Sequence, residues 1–453
     1  MLARLITISL LCLAMAALLE SHRRALAEDK TSPAFLYTAA KNYEPLAWMR
    51  GGDRFPSGAT IMVHGSGEDR PLVPNFAASA DPALSFDGQR LLFAGKVKPD
   101  APWQIWEMPL AGGEPTRIIS AAEDCIRPFY LPENRIVYAK RTGNQFVIEV
   151  ASLSGADSLA LTYGPASSLP ADVLRDGRIL FEAGYPLGAG APPELYAVYS
   201  DGSGVESYRC DHGSTRHLGK QINSGDIVFT TQHGIAKFTS ALAHQVSLPV
   251  PAGEYAGEIA ETTTDDWLLS WRPHPTDFFQ LTDWTPGSPM LRPALEKQSL
   301  NALQPVLLRE HLVPHRHPSG LHDWPNANLL CLNAYTSKYR FTPDSIRSVR
   351  LYTRDSSGKA KLLGTAPVER DGSFFVHVPS EQPLQIELAD GNGKKLKRES
   401  GFFWMRRGEQ RACVGCHAGP ETAPENAVPM TLLKSTTPAD MTGGAARNPS
   451  GGN

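Results

Sequence analysis

One pattern recurs through the first two thirds of this chain. "LSFDGQRLLFAG", "YLPENRIVYAK", "VLRDGRILFEA" and "QINSGDIVFTT" each set a polar turn before a run of β-forming residues. The turn residues Gly88, Asn134, Gly177 and Gly225 return every forty-odd positions, and "TTTDDWLLSW" around Asp266 continues the series. A second turn follows each of the first three after 21 to 25 residues, in "WEMPLAGG", "IEVASLSGA" and "LYAVYSDGSG", and "IMVHGSGEDRPL" has the form of the same half-unit one repeat earlier. Four short strands per repeat cannot bury both faces of their own sheet, so such units stack radially into a β-propeller. From about Ser32 to about Leu295 there is room for six blades. The regular period argues against an array of β-sandwiches.

Composition agrees with an all-β reading. Gly (39) and Pro (37) are spread along the 453 residues, which suits many short strands joined by turns. A net charge of −3 and a pI near 6.5 offer nothing to a nucleic acid. At the N-terminus, Arg4, the apolar run "LITISLLCLAMAALL" and "ALA" at Ala25 to Ala27 read as a secretion signal over residues 1–27. The expected mature protein is periplasmic or secreted, with no stable membrane span once the signal is removed. Of six cysteines, Cys12 leaves with the signal, while Cys125, Cys210 and Cys331 either share one bridge or are buried as small apolar side chains.

Beyond the propeller (28–300), "QPVLLREHLVPHRHPSGLHDWP" breaks the pattern and reads as a linker over 301–325. Its His311, His315, His317 and His322 are the only histidine cluster, either a metal or distal-ligand site or solvated linker residues. "SIRSVRLYTRD", "LLGTAPVERDGSFFVHVPS" and "PLQIELADGNGKKLKRESGFFWM" then alternate apolar and polar residues, with turns at Asp371-Gly372 and Asp390-Gly391. They predict a small antiparallel β-sandwich in a β-rich domain, 326–434. The tail 435–453 has no apolar periodicity and reads as disordered.

The chemistry concentrates in "GEQRACVGCHAGPETAP". Cys413 and Cys416, two residues apart, suit addition to the two vinyl groups of one haem, with His417 next in line as iron ligand. One covalent haem c is the cofactor this pattern predicts. A zinc site or a Cys413–Cys416 disulfide are the alternatives, and zinc lacks a fourth ligand within twenty residues. Met430, thirteen residues beyond His417, is the candidate second axial ligand, or a packed apolar residue. Arg406, Arg407 and Arg411 are candidates to pair with the propionates. Trp404 either packs on the macrocycle or closes the sandwich core.

Two resemblances add to this. The "DG" and "GG" turns before hydrophobic strands resemble the Tol-type and WD40-like propellers of exported bacterial proteins. From "LLCLNAY" onward, "LGTAPVERDGSFFVHVPSEQPLQIELAD" and "RRGEQRACVGCHAGPETAPENAVPM" resemble the middle domain of the hydrazine synthase alpha subunit family. Gly408, Glu409, Arg411, Cys413, Val414, Gly415, Cys416, His417, Ala423, Pro424 and Asn426 carry the match. The resemblance implies a c-type haem held against a propeller in an exported protein. The hydrazine-forming subunit has a second-haem domain with no counterpart in the 36 residues after His417, and "AGPETAPEN" has no Tyr where that relative places its aromatic iron ligand. The resemblance therefore implies haem binding without hydrazine synthesis. The expected function is redox or haem-based, by electron transfer to a partner protein or by oxidoreductase chemistry at the iron. The competing expectation is a non-catalytic interaction module with a structural haem or zinc site.

Overall fold

A computed structural model describes residues 34–65, 68–184, 192–209, 214–262, 266–296, 298–355, 358–416 and 422–443. The expected signal segment 1–27, Cys210 and His417 lie outside the described residues. Six antiparallel sheets are built by residues 35–307, four strands each except the last, whose innermost position is filled by two short strands. Each is a propeller blade. Blade 2 is representative: Ala78–Leu84, Arg90–Lys96, Gln104–Pro109 and Thr116–Ile119 pair in order. The repeated turns close the first hairpin of blades 2 to 5, where Gly88, Asn134, Gly177 and Gly225 have φ of 69°, 54°, 87° and 95°. Such left-handed backbone suits Gly and, less readily, Asn. Blade cores interlock radially: Leu180, Leu195 and Ala197 of blade 4 pack with Ile227, Phe229 and Phe238 of blade 5.

The ring closes through residues assigned from sequence to the linker. Asn301–Leu307 is the innermost strand of blade 1, paired antiparallel with Phe35–Ala40. The expected linker at 301–325 is therefore corrected to begin after Leu307. "NALQPVL" contains Gln304 and Pro305, which locally read as a break, and its partner strand lies more than 260 residues earlier. In the inner strands the pairing shifts at a bulge, and Asp81, Arg127, Leu218, Glu258 and Gln304 take φ of 50° to 58°. Non-glycine residues held this way cost roughly 1–3 kcal/mol each and need outside support. Part of that support is a buried polar network, with Arg54 gripping Asp81 at 2.8 and 2.6 Å, Gln304 at 2.6 Å from the same carboxylate, and Arg127 paired with Glu258. Burial alone would raise the Asp81 carboxyl, but Arg54 and Arg127 hold it below its usual range.

Arg54 comes from the loop between Phe35–Ala40 and Thr60–His64, which folds into one end of the channel. Its Trp48 and Phe55 pack among Ala80, Ile126, Leu169, Ala256 and Leu303 of five blades. The chain after Leu307 crosses the opposite face, over the first turns of three blades. His311 N–H donates to Phe86 O (2.9 Å), Arg316 pairs with Glu133 (3.0 Å), and His315 N–H donates to Arg175 O (2.7 Å).

Residues 326–440 add two facing four-stranded sheets around one core. The first runs Gln410–Cys413, Asn326–Cys331, Phe374–Pro379, Ala439–Asp440; the second runs Ala360–Pro367, Ser348–Arg354, Gln385–Ala389, Lys395–Arg398. Both edge strands of the first sheet pair in parallel, so the sandwich is mixed rather than antiparallel. The disordered tail expected over 435–453 is corrected for 435–443, where Ala439–Asp440 pairs with Val376 and His377 and Met441 is buried in the sandwich core; residues 444–453 lie outside the described residues. A single apolar side chain per short strand leaves no periodicity to read, which hid this segment in the sequence. Among the described residues, no helix is long and apolar enough to cross a membrane.

Candidate functional site

The CxxCH segment begins inside the sandwich, because Cys413 is the last residue of Gln410–Cys413. That strand lies parallel to Asn326–Cys331, with Cys331 directly opposite Cys413. The pairing continues past the strand ends: Leu332 N–H donates to Cys413 O (2.9 Å) and Asn333 N–H to Val414 O (3.2 Å). Gly415 then packs so tightly on the next turn that a Cβ there would lie 2.1 Å from Thr336 O and 2.7 Å from Asn333 O. The loop is thereby turned back, and the thiol of Cys416 reaches the thiol of Cys331. Contact with Cys416, then burial, holds Cys331 well above its ordinary pKa, and burial raises Cys413. Neither is a thiolate near neutral pH, so neither is poised as a catalytic nucleophile.

Sequence reasoning did not connect Cys331 with the motif. Cys331 and Cys413 are 82 positions apart, and only the strand register joins them. Of the other cysteines, Cys125 is buried alone in blade 3, where burial pushes its thiol up to about 12.

The charged residues before the motif do structural work. Gly408 has φ 70° and approaches the connector so closely that a Cβ would meet His322 O at 1.7 Å. The buried Glu409 accepts from Arg406 N–H (2.7 Å), Gly204 N–H of blade 4 (3.1 Å) and the Arg411 guanidinium (2.9 and 2.6 Å). Arg406 is buried at the seam, bound to Glu381, to Tyr163 OH (2.6 Å) and to Asp201 O (3.0 Å). Arg406, a sequence candidate for a propionate, thus docks sandwich on propeller, its long planar side chain reaching across the seam. Arg411 is occupied by Glu409, and Arg407 is exposed. Trp404 fits neither expectation: it wedges between blades 3 and 4 against Leu161, Ile179 and Phe181, its Nε1–H donating to Leu161 O (3.0 Å).

Met430 opens the short helix Met430–Lys434, and its N–H donates to Asp371 (2.7 Å). Asp371-Gly372 abuts Asn333 and Ala334, whose turn continues to the Thr336 that faces Gly415, so Met430 is anchored one turn away from the cysteine loop. The four histidines are dispersed along the connector. His311 is edge-on to Phe86 (5.2 Å), His317 stacks on Tyr199 (3.6 Å) and His322 stacks on Trp324 (4.5 Å). Among the described residues, no three of His, Cys, Asp and Glu are placed to hold a metal ion.

Residues 343–418 match the hydrazine synthase alpha subunit middle domain. The chain resembles the hydrazine synthase alpha subunit. Hydrazine synthase from Kuenenia stuttgartiensis superposes on 89% of this chain and 71% of its own, with a TM-score of 0.77 at 16% identity, a likeness of fold. TolB from Acinetobacter baumannii superposes on 61% of this chain and 66% of its own, with a TM-score of 0.44 at 13% identity. No curated protein matches. The hydrazine synthase likeness spans propeller and sandwich together, and the family match covers the sandwich from residue 343 through the cysteine motif, leaving out Asn326–Cys331. Cys413 and Cys416, both half-buried and free of any disulfide, suit covalent attachment of a haem by their donor chemistry.

Proposed function

We propose that the chain is an exported protein carrying one c-type haem, bound through Cys413 and Cys416 with His417 as iron ligand, and that its role is redox. The observation that carries this reading is the pair of free thiols held on a pinned loop inside the segment that matches the middle domain. When bound, such a group supplies one-electron chemistry or an iron site for a small molecule. The chain's own residues support the attachment. The parallel strand pair fixes Cys413, and the Gly415 contact turns the loop so that both sulfurs sit at one end of the sandwich. Glu409 and Arg406 tie that end to blade 4 through Gly204 and Asp201. Cys413 itself packs against the sandwich core. Release through the predicted signal places the protein in the periplasm or outside the cell, where a soluble redox partner can reach it.

Expression in a periplasm equipped for haem attachment tests this. One haem per chain by pyridine haemochrome, lost in the Cys413→Ser/Cys416→Ser double variant, is the expected result; unmodified cysteines in the exported chain would overturn it. Carbon monoxide binding by the reduced protein then separates an open iron face from Met430 ligation, because Met430→Ala opens the face only in the second case.

A further inference from the structure

The propeller and the motif leave one reactive group unexplained: Cys331, a third thiol beside the two of the motif. Its sulfur contacts that of Cys416, its strand runs parallel to the one that carries Cys413, and both motif cysteines pack on the core that buries Cys331. A disulfide needs the two sulfurs brought together without backbone movement. Here the register sets Cys331 opposite Cys413, the Gly415 turn folds the loop back onto the 333–336 turn that follows Cys331, and the Cys416 thiol hydrogen-bonds with that of Cys331.

We propose that in the haem-free chain Cys331 and Cys416 close to a disulfide, so that Cys331 withholds Cys416 from cofactor attachment until the bond is reduced. The oxidant is a small-molecule or protein disulfide, such as oxidised glutathione. Cys416, half-exposed, attacks it first and releases one glutathione thiolate. Cys331 then loses its proton, attacks the Cys416 sulfur of the mixed disulfide and releases the second glutathione. One S–S bond breaks and one forms, and the protons of the two protein thiols end on two glutathiones. Cys331 is only 2% exposed, which makes the second step the slow one. The disulfide stands on the structure alone; its consequence for attachment rests on the haem reading above.

The full chain, made in a host without haem attachment, is equilibrated with oxidised glutathione, quenched in acid, alkylated and digested with trypsin. Expected is a crosslink between peptides 317–338 and 412–434, with Cys413 alkylated, and its loss in Cys331→Ala. A bridge confined to Cys413 and Cys416, or full alkylation of all three thiols, would overturn the proposal. Because the wild type is mapped directly, an unfolded variant leaves the result intact. In an oxidising periplasm, Cys331→Ala, or Cys331→Ser if the alanine variant misfolds, should carry more haem per chain than wild type. Equal loading would overturn the withholding role. Haem in neither protein, with the crosslink present, would count against the haem reading and not against the disulfide.

Discussion

At the scale of single residues, "GEQRACVGCH" divides into chemistry and carpentry. Gly408, Glu409, Arg411 and Gly415 hold backbone and seam, while Cys413 and Cys416 hold sulfur where a cofactor can be joined. Gly415→Ala should lower the urea midpoint by an amount equivalent to about 1–3 kcal/mol, the usual cost of forcing a methyl into a filled space. An unchanged midpoint would show that the 333–336 turn can yield. His311 carries a pH prediction. Burial lowers its pKa from 6.5, so the unfolded imidazole takes up a proton at higher pH than the folded one. Its contribution to stability is complete above pH 6.5 and is lost as pH falls through the folded value. Calorimetry between pH 7.5 and pH 5 should therefore show a smaller fall in Tm for His311→Gln than for wild type.

Among elements, what the sequence made legible was whatever is decided locally. Turn residues at Gly88, Gly177 and Gly225 marked the hairpins because left-handed backbone selects them within a few positions. Strand alternation marked the sandwich, and the cysteine spacing marked the site. The closing strand, the Trp48 loop and the Cys331 contact were hidden because each is set by a partner far along the chain. The last strand shows the same limit. Ala439–Asp440 is two residues long and gains its place by the Met441 side chain, which packs on Gly364 and the sandwich core. Met441→Ala should cost roughly 2–5 kcal/mol, as for other buried methionines, and increase amide hydrogen exchange in Phe374–Pro379. Exchange left at the wild-type rate would show that the edge strand contributes nothing to its neighbour.

For the whole molecule, the seam decides whether propeller and sandwich behave as one body. Trp404 and Arg406 both leave the sandwich and end between or upon blades 3 and 4. Trp404→Ala removes about 3–5 kcal/mol of buried contact and should split a single calorimetric transition into two. A single transition in the variant would assign the coupling to Arg406 and the connector instead. A small cavity of about 50 Å3 lies among Arg127, Glu258, Gln304 and their neighbours on the inner strands. Its lining is matched in charge, so it is framework for the ring.

The closing strand carries a further consequence, in time. Blade 1 begins with Phe35 but is completed only by Asn301–Leu307, so its inner edge stands open while some 230 residues after Pro71 are still being made. At about 5–20 residues per second, that is on the order of ten to fifty seconds of synthesis. Throughout that interval the first strand offers an unpaired edge, which is a template for any stray β-strand nearby. The strand that seals the ring leads directly into the connector, so the cysteine segment is synthesised only after the ring has all its strands. The edge that blade 1 leaves open is thus exposed for longer than any edge of the sandwich, whose first strand, Asn326–Cys331, waits only for residues up to Cys413.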